Sequence, residues 1–211
     1  AHIIKTSTRY CIATVKEIIT ESPSRIESDC EAARSCGGCS FRHMTYDEEL
    51  RFKRSRVEDA VKRIGHLDVP VRDVVGADRL DGYRNKAQYP VQIENGVLTA
   101  GFYAYKSHRI IPCTSCRLQP PEFEDCLSAF AKWVKAAGVT SYDGEHGLLR
   151  HIYLRRTSLG EIMACAVING KTLPEQDMLI DYLTEIDGVK SICVNINTDH
   201  SNVILGDMTG R

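Results

Sequence analysis

The chain has 211 residues, room for one large domain or two small ones, and its 43% hydrophobic and 26% charged residues are those of an ordinary globular protein. No apolar run reaches the roughly 18 residues of a membrane span, and the N-terminus lacks the charged-then-apolar pattern of a signal peptide. A formal net charge of -1 excludes a globally basic nucleic-acid binder, so any RNA face must be a local patch.

Residues 2–5 and 10–19 are β-type runs, closed by the turn chemistry of Thr20-Glu21-Ser22-Pro23-Ser24. Residues 1–27 are too few for a core of their own and read as the last strands of a small β-barrel. The chain starts at Ala1 without Met and stops at Arg211 just after a strand-like run, the pattern expected of a piece of a longer protein.

Next comes Cys30-Glu-Ala-Ala-Arg-Ser-Cys36-Gly-Gly-Cys39, three thiols spaced C-x5-C-x2-C with two glycines in the final turn. Nine cysteines without a secretory signal fit a reducing cytoplasm and a metal site better than a disulfide framework. Two thiolates of a Cys-x2-Cys turn reach one ion or one cluster face. Glycines there leave amide N–H groups free to point at sulfur.

Thr45-Tyr46-Asp47-Glu48 fits a capping box, and Tyr46, Leu50, Val57, Ala60, Val61 and Ile64 follow at helical spacing up to Gly65. The charged residues between them read as a solvated face with ion pairs. Residues 83–91, 97–105 and 109–111 read as three strands, the first two joined across Glu94-Asn95-Gly96. In this region Arg84, Lys86, Lys106, Arg109 and Arg117 face the single acid Glu94, with tyrosines interleaved, a composition suited to phosphate contact and base stacking.

After Pro112-Cys113-Thr114-Ser115-Cys116, residues 120–138 form a helix with Phe123, Leu127, Phe130, Trp133 and Val134 on one side. Residues 148–157 and 161–169 make a hairpin, 174–186 a helix, and 189–197 and 202–205 strands. This order predicts an α+β fold for residues 28–211: an antiparallel sheet with helices packed on one face, preceded by the remnant barrel strands.

Two partitions of the thiols are open. Cys36-x2-Cys39 with Cys113-x2-Cys116 would make zinc knuckles, but the interval from Cys39 to Cys113 far exceeds the roughly 15–20 residues of a zinc ribbon and leaves Cys30 without a role. Cys30, Cys36 and Cys39 with Cys113 or Cys116 would hold an iron–sulfur cubane. Cys11, Cys126, Cys165 and Cys193 read as small buried hydrophobes.

Cys30-x5-Cys36-Gly-Gly-Cys39, His43-Met44-Thr45-Tyr46, Tyr83-Arg84-Asn85-Lys86-Ala87, Gly101-Phe102-Tyr103, Ser107-His108-Arg109-Ile110, Gly147-Leu148-Leu149-Arg150-His151 and Asn202-Val203-Ile204-Leu205-Gly206 occur in this order over nearly the whole chain. Together they resemble the iron–sulfur RNA (uracil-5-)-methyltransferases. That resemblance implies the C-terminal strands of a TRAM barrel over 1–27, a central domain over 28–211 and a [4Fe-4S] cluster held by Cys30, Cys36, Cys39 and Cys116. It also implies a further domain that uses S-adenosylmethionine to methylate C5 of a uridine in RNA, here ribosomal RNA.

The glycine-rich donor loop, nucleophilic cysteine and glutamate base of that family do not occur in these residues, so no catalytic residue is carried over and the piece alone should be inactive. The basic, tyrosine-rich strands and the histidines beside arginines lead to the expectation of RNA contacts by Arg84, Lys86, Arg109 and Arg150, with His108 and His151 beside them, in a monomeric cytoplasmic protein without membrane contact. A zinc-stabilised RNA-binding module and a ferredoxin-like redox protein are the rival readings.

Overall fold

In the computed structural model, which describes residues 1–210, the chain forms two units. One comprises Ala1–Asp29 with Phe41–Gly76, and the other comprises Cys30–Ser40 with the residues from Ala77 onward. The helix expected with the later domain therefore groups with the N-terminal hairpin, while the cysteine loop groups with the main sheet.

In the first unit β1 (His2–Thr6) pairs antiparallel with β2 (Cys11–Thr14). All nine positions are exposed, so Cys11 is a surface thiol and not the buried hydrophobe expected from its strand. Helix α1 (Tyr46–Asp59) continues through a π-helical turn, Ala60–Ile64, to Gly65. The capping box does not form. Thr45 makes no side-chain cap bond, and the Glu48 carboxylate is taken by Ser24 Oγ (3.3 Å) and Arg51 (2.5 Å). No residue of α1 is buried, Ile64 being 80% exposed, so its apolar stripe is not a core face. Its bases pair with acids one turn away, Lys53–Glu49, Arg54–Glu58 and Arg63–Asp59, as the charge pattern implies.

The second unit is built on a seven-stranded sheet of β3 (Lys86–Glu94), β4 (Val97–Tyr103), β5 (Ile110–Pro112), β6 (Leu149–Arg156), β7 (Ile162–Ile168), β8 (Val189–Ile196) and β9 (Met208–Gly210). The spatial order is β5-β4-β3-β6-β7-β8-β9. All pairs are antiparallel except β7–β8, which is parallel because helix α3 (Gln176–Thr184) lies between them in sequence and returns the chain to the same end.

Helix α2 (Glu122–Ala137) packs against α3 and β4. Its Phe123, Phe130, Trp133 and Val134 are fully buried against alternate sheet residues, among them Tyr89, Ile152, Leu154, Ala164 and Ile168. Burying each of the large side chains stabilises by roughly 2–3 kcal/mol. Trp133 also donates its indole N–H to the carbonyl of Pro174 (2.9 Å), tying α2 to the start of α3.

The opposite sheet face carries a smaller cluster, Tyr153, Cys165, Val167 and Cys193 with Met163 and Ile204 against it. Cys126, Cys165 and Cys193 are buried as expected, and burial pushes the Cys165 thiol up to about 12. The strand expected at 202–205 is a loop instead. Asn197 Nδ2 donates to the carbonyls of Val203 (2.7 Å) and Ile204 (3.0 Å), and Asn195 Nδ2 donates to Gly206 (2.9 Å) and Met208 (3.1 Å). Side-chain amides thus satisfy a backbone that a ladder would otherwise need.

Candidate metal centre and nucleic-acid face

The cysteine loop meets the sheet where β3 changes partner. Lys86 to Pro90 pair with β6, whereas Val91 to Glu94 pair with β4. Pro90 has no N–H to continue a ladder, and the end of β4 is left open on that side. The other side of Ala104 is occupied, its N–H donating to Arg109 O (2.9 Å). Cys36 takes the open side in an antiparallel bridge with Ala104, and Gly37 N–H donates to Tyr103 O (3.0 Å). A Cβ at Gly37 would stand 3.0 Å from both Tyr103 O and Tyr105 N, so any larger residue would push the loop and the strand end apart by a few tenths of an ångström. Gly38 N–H points at Cys36 Sγ (3.4 Å), and Arg84 reaches Gly38 O (3.5 Å).

Cys113 and Cys116 come to the same place from the far end of β5. Cys113 N–H donates to Ala100 O (3.1 Å), while Gly82 and Arg84 N–H donate to Arg117 O and Leu118 O (2.8 Å each), laying residues 82–84 beside the Cys116 turn. Cys113 is buried and Cys116 half-buried, their thiols within hydrogen-bonding reach. That bond lowers Cys116 to about 6. Burial opposes the shift, and N–H groups of Leu118 and Gln119 and the Arg84 charge support it. The Cys113 thiol is pushed up by its bond to Cys116, by burial and by the charges of Cys116, Cys30 and Cys36.

Cys113 thus feels the charges of Cys116, Cys30 and Cys36, and Cys39 is half-buried in the same loop as the latter two. Among the described residues, no three His, Cys, Asp or Glu side chains stand together as a ready-made ion site. The chemistry of the donor set fits a thiolate-bound group. Five thiols lie on two short segments, with N–H donors aimed at sulfur and one guanidinium to offset charge.

Of the residues expected to meet RNA, Lys86, His108 and Arg109 are exposed and Arg84 half-buried. The His108 ring lies 5.4 Å from that of Tyr103, and Lys106 sits over Tyr105 (5.3 Å), itself 74% exposed. Arg150 is only 7% exposed. It donates to the carbonyls of Asn197 (2.7 Å), Asp199 (2.7 Å) and Ser201 (3.4 Å) and covers the Tyr142 ring at 4.4 Å. Its Nη1 is thus committed to backbone carbonyls, while its Nε stays buried without a partner. His151 is half-buried with Nδ1 unpartnered, and burial, reinforced by the Arg150 charge, lowers it to about 4. It is neutral and turned inward.

Arg155 was not legible in the sequence. It is exposed and stands directly across from Lys86, a like-charged pair on one sheet face. Only the strand register reveals that pair.

The chain is 41% identical over 209 residues to an uncharacterized RNA methyltransferase of Clostridium tetani, covering 97% of the chain and 45% of that protein. It is 39% identical over 214 residues to one of Halalkalibacterium halodurans, covering 99% of the chain and 47% of that protein. The relatives are RNA methyltransferases. The chain spans about half the length of these curated relatives. No family model matches it. The fold is that of part of the Pyrococcus abyssi tRNA (uracil-54, C5)-methyltransferase crystallised with S-adenosyl-L-homocysteine. The TM-score is 0.71 at 20% identity, over 99% of this chain and 47% of that one. In the described residues no helix is long and apolar enough to cross a membrane.

Proposed function

We propose that the chain is the cluster-holding and RNA-holding part of an S-adenosylmethionine-dependent RNA uracil-5-methyltransferase. The supporting observation is the docking of a Cys30–Cys36–Cys39 loop on the β4 edge beside Cys116, in a chain whose relatives are RNA methyltransferases. In this reading Cys30, Cys36, Cys39 and Cys116 hold a [4Fe-4S] cluster, which when bound supplies a rigid anionic anchor between the loop and the sheet. Gly38, Leu118 and Gln119 N–H groups and the Arg84 charge stabilise the ligand sulfurs.

Arg84, Lys86, Arg109 and Arg155 hold RNA phosphates, with Tyr105 and His108 offered to bases. The hairpin β1–β2 belongs to a TRAM barrel. Methyl transfer belongs to the part of the whole protein that the relatives have beyond this match, and the substrate is proposed to be ribosomal.

Iron and acid-labile sulfide after anaerobic reconstitution test this. About four of each per chain are expected, lost in Cys116→Ser and kept in Cys113→Ser. One zinc ion, lost equally in both variants, would give the site to a zinc-stabilised RNA-binding module instead.

A further inference from the structure

We propose that Cys113 is a resolving thiol that closes a disulfide with Cys116 whenever no metal group is held, so that the oxidation state of this pair gates loading of the site. The proposal rests on Cys116 being a ligand, as read above. Three observations carry it. The two sulfurs stand within hydrogen-bonding reach on one Cys-Thr-Ser-Cys turn. Cys113 is held at the sheet edge by its N–H bond to Ala100 O, and Cys116 is held by the turn that follows it, which Gln119 N–H closes on Cys116 O (2.9 Å). Exposure is unequal, Cys116 being half-buried and Cys113 9% exposed. The ligand set proposed for the cluster leaves Cys113 unused.

The chemistry balances with a glutathione disulfide as oxidant. The more exposed Cys116 sulfur attacks it, forming a mixed disulfide and releasing one glutathione thiol. Cys113 sulfur then attacks the Cys116 sulfur from inside and releases the second. One protein S–S bond forms, two thiol protons are lost, and the oxidant becomes two glutathione thiols. The rival Cys36–Cys39 pair is less suited, because Cys36 Sγ is engaged by Gly38 N–H (3.4 Å) in a loop pinned to Tyr103 and Ala104.

The metal-free chain is treated anaerobically with glutathione disulfide, alkylated and digested with trypsin. Cleavage after Arg109 and Arg117 leaves Cys113 and Cys116 in one peptide, cleavage after Arg34 and Arg42 leaves Cys36 and Cys39 in another, and Cys30 falls in a third. The expected result is loss of both alkyl groups from the 110–117 peptide, with the other two peptides fully alkylated. Such protein should take up iron and sulfide only after reduction by dithiothreitol, whereas Cys113→Ser should load when kept reduced and, after the oxidant, should stop at a glutathione adduct on Cys116 in the 110–117 peptide. Full alkylation of 110–117, or a bond between Cys36 and Cys39 or from Cys30 or Cys36 to Cys113, overturns the proposal. If fully reduced wild-type chain takes up no iron, the cluster reading fails, and the peptide masses still decide whether the disulfide forms.

Discussion

Replacing Arg150 by Met keeps most of the apolar bulk of the side chain and removes its guanidinium. The structure fixes what is lost: two short bonds to the carbonyls of Asn197 and Asp199 (2.7 Å each), a weaker one to Ser201 (3.4 Å) and the face contact with Tyr142. Hydrogen bonds to a charged donor contribute about 1.5–3 kcal/mol each, so the short pair contributes roughly 3–6. The ring contact adds about 1. Desolvating the guanidinium offsets several of these, leaving a net loss of about 3 kcal/mol on substitution.

At roughly 2–4 °C per kcal/mol for a chain of this size, the melting temperature should fall by about 6–12 °C. The amides of residues 197–206 should lose hydrogen-exchange protection first, because Arg150 and the Asn195 and Asn197 amides fasten that segment together. Arg150→Lys should behave like Arg150→Met, since an ammonium cannot reach three carbonyls from one fork. RNA affinity should stay within about twofold once folding is accounted for. A variant as stable as wild type but bound tenfold more weakly by RNA would refute this reasoning and return Arg150 to the phosphate contacts.

Gly37→Ala places a methyl group 3.0 Å from two backbone atoms of β4's end. Undocking of the loop by about 1 kcal/mol should raise the thiol-labelling rate of Cys36 roughly fivefold, with the α2–α3 core unchanged in near-ultraviolet circular dichroism. His151, ordinarily near 6.5, is lowered to about 4 in the folded chain. The unfolded chain therefore binds the extra proton between those values. Stability from this group is fully present above about pH 6.5 and drains as pH falls toward 4, by up to roughly 3 kcal/mol. Urea unfolding of His151→Gln should show a flatter profile across that window, and an unchanged slope counts against the buried neutral ring. Lys86→Ala should weaken RNA binding and reduce the salt slope by about 1. Because Lys86 faces Arg155 across the ladder, the same change should leave stability equal or raise it by a few tenths of a kcal/mol. Filter binding at several salt concentrations and thermal melts check both.

The amino-acid sequence by itself determined the local features. Alternation and turn residues marked the β3–β4 and β6–β7 hairpins, helical spacing marked α2 with its buried Trp133, and C-x5-C-x2-C marked the thiol loop. Each depends on neighbours within a few positions, where period and propensity act. The stripe on α1 had the same period but no core to meet, and Asn202–Leu205 looked like a strand until the amides of Asn195 and Asn197 captured its backbone. Tertiary structure alone decided that Pro90 splits β3 between two partners and opens a berth for Cys36, that Arg155 stands opposite Lys86, and that Arg150 is buried against the carbonyl of Asn197. Those outcomes hang on strand register and on contacts tens of residues apart. A basic residue reads the same in sequence whether its partner is a phosphate in water or a buried carbonyl.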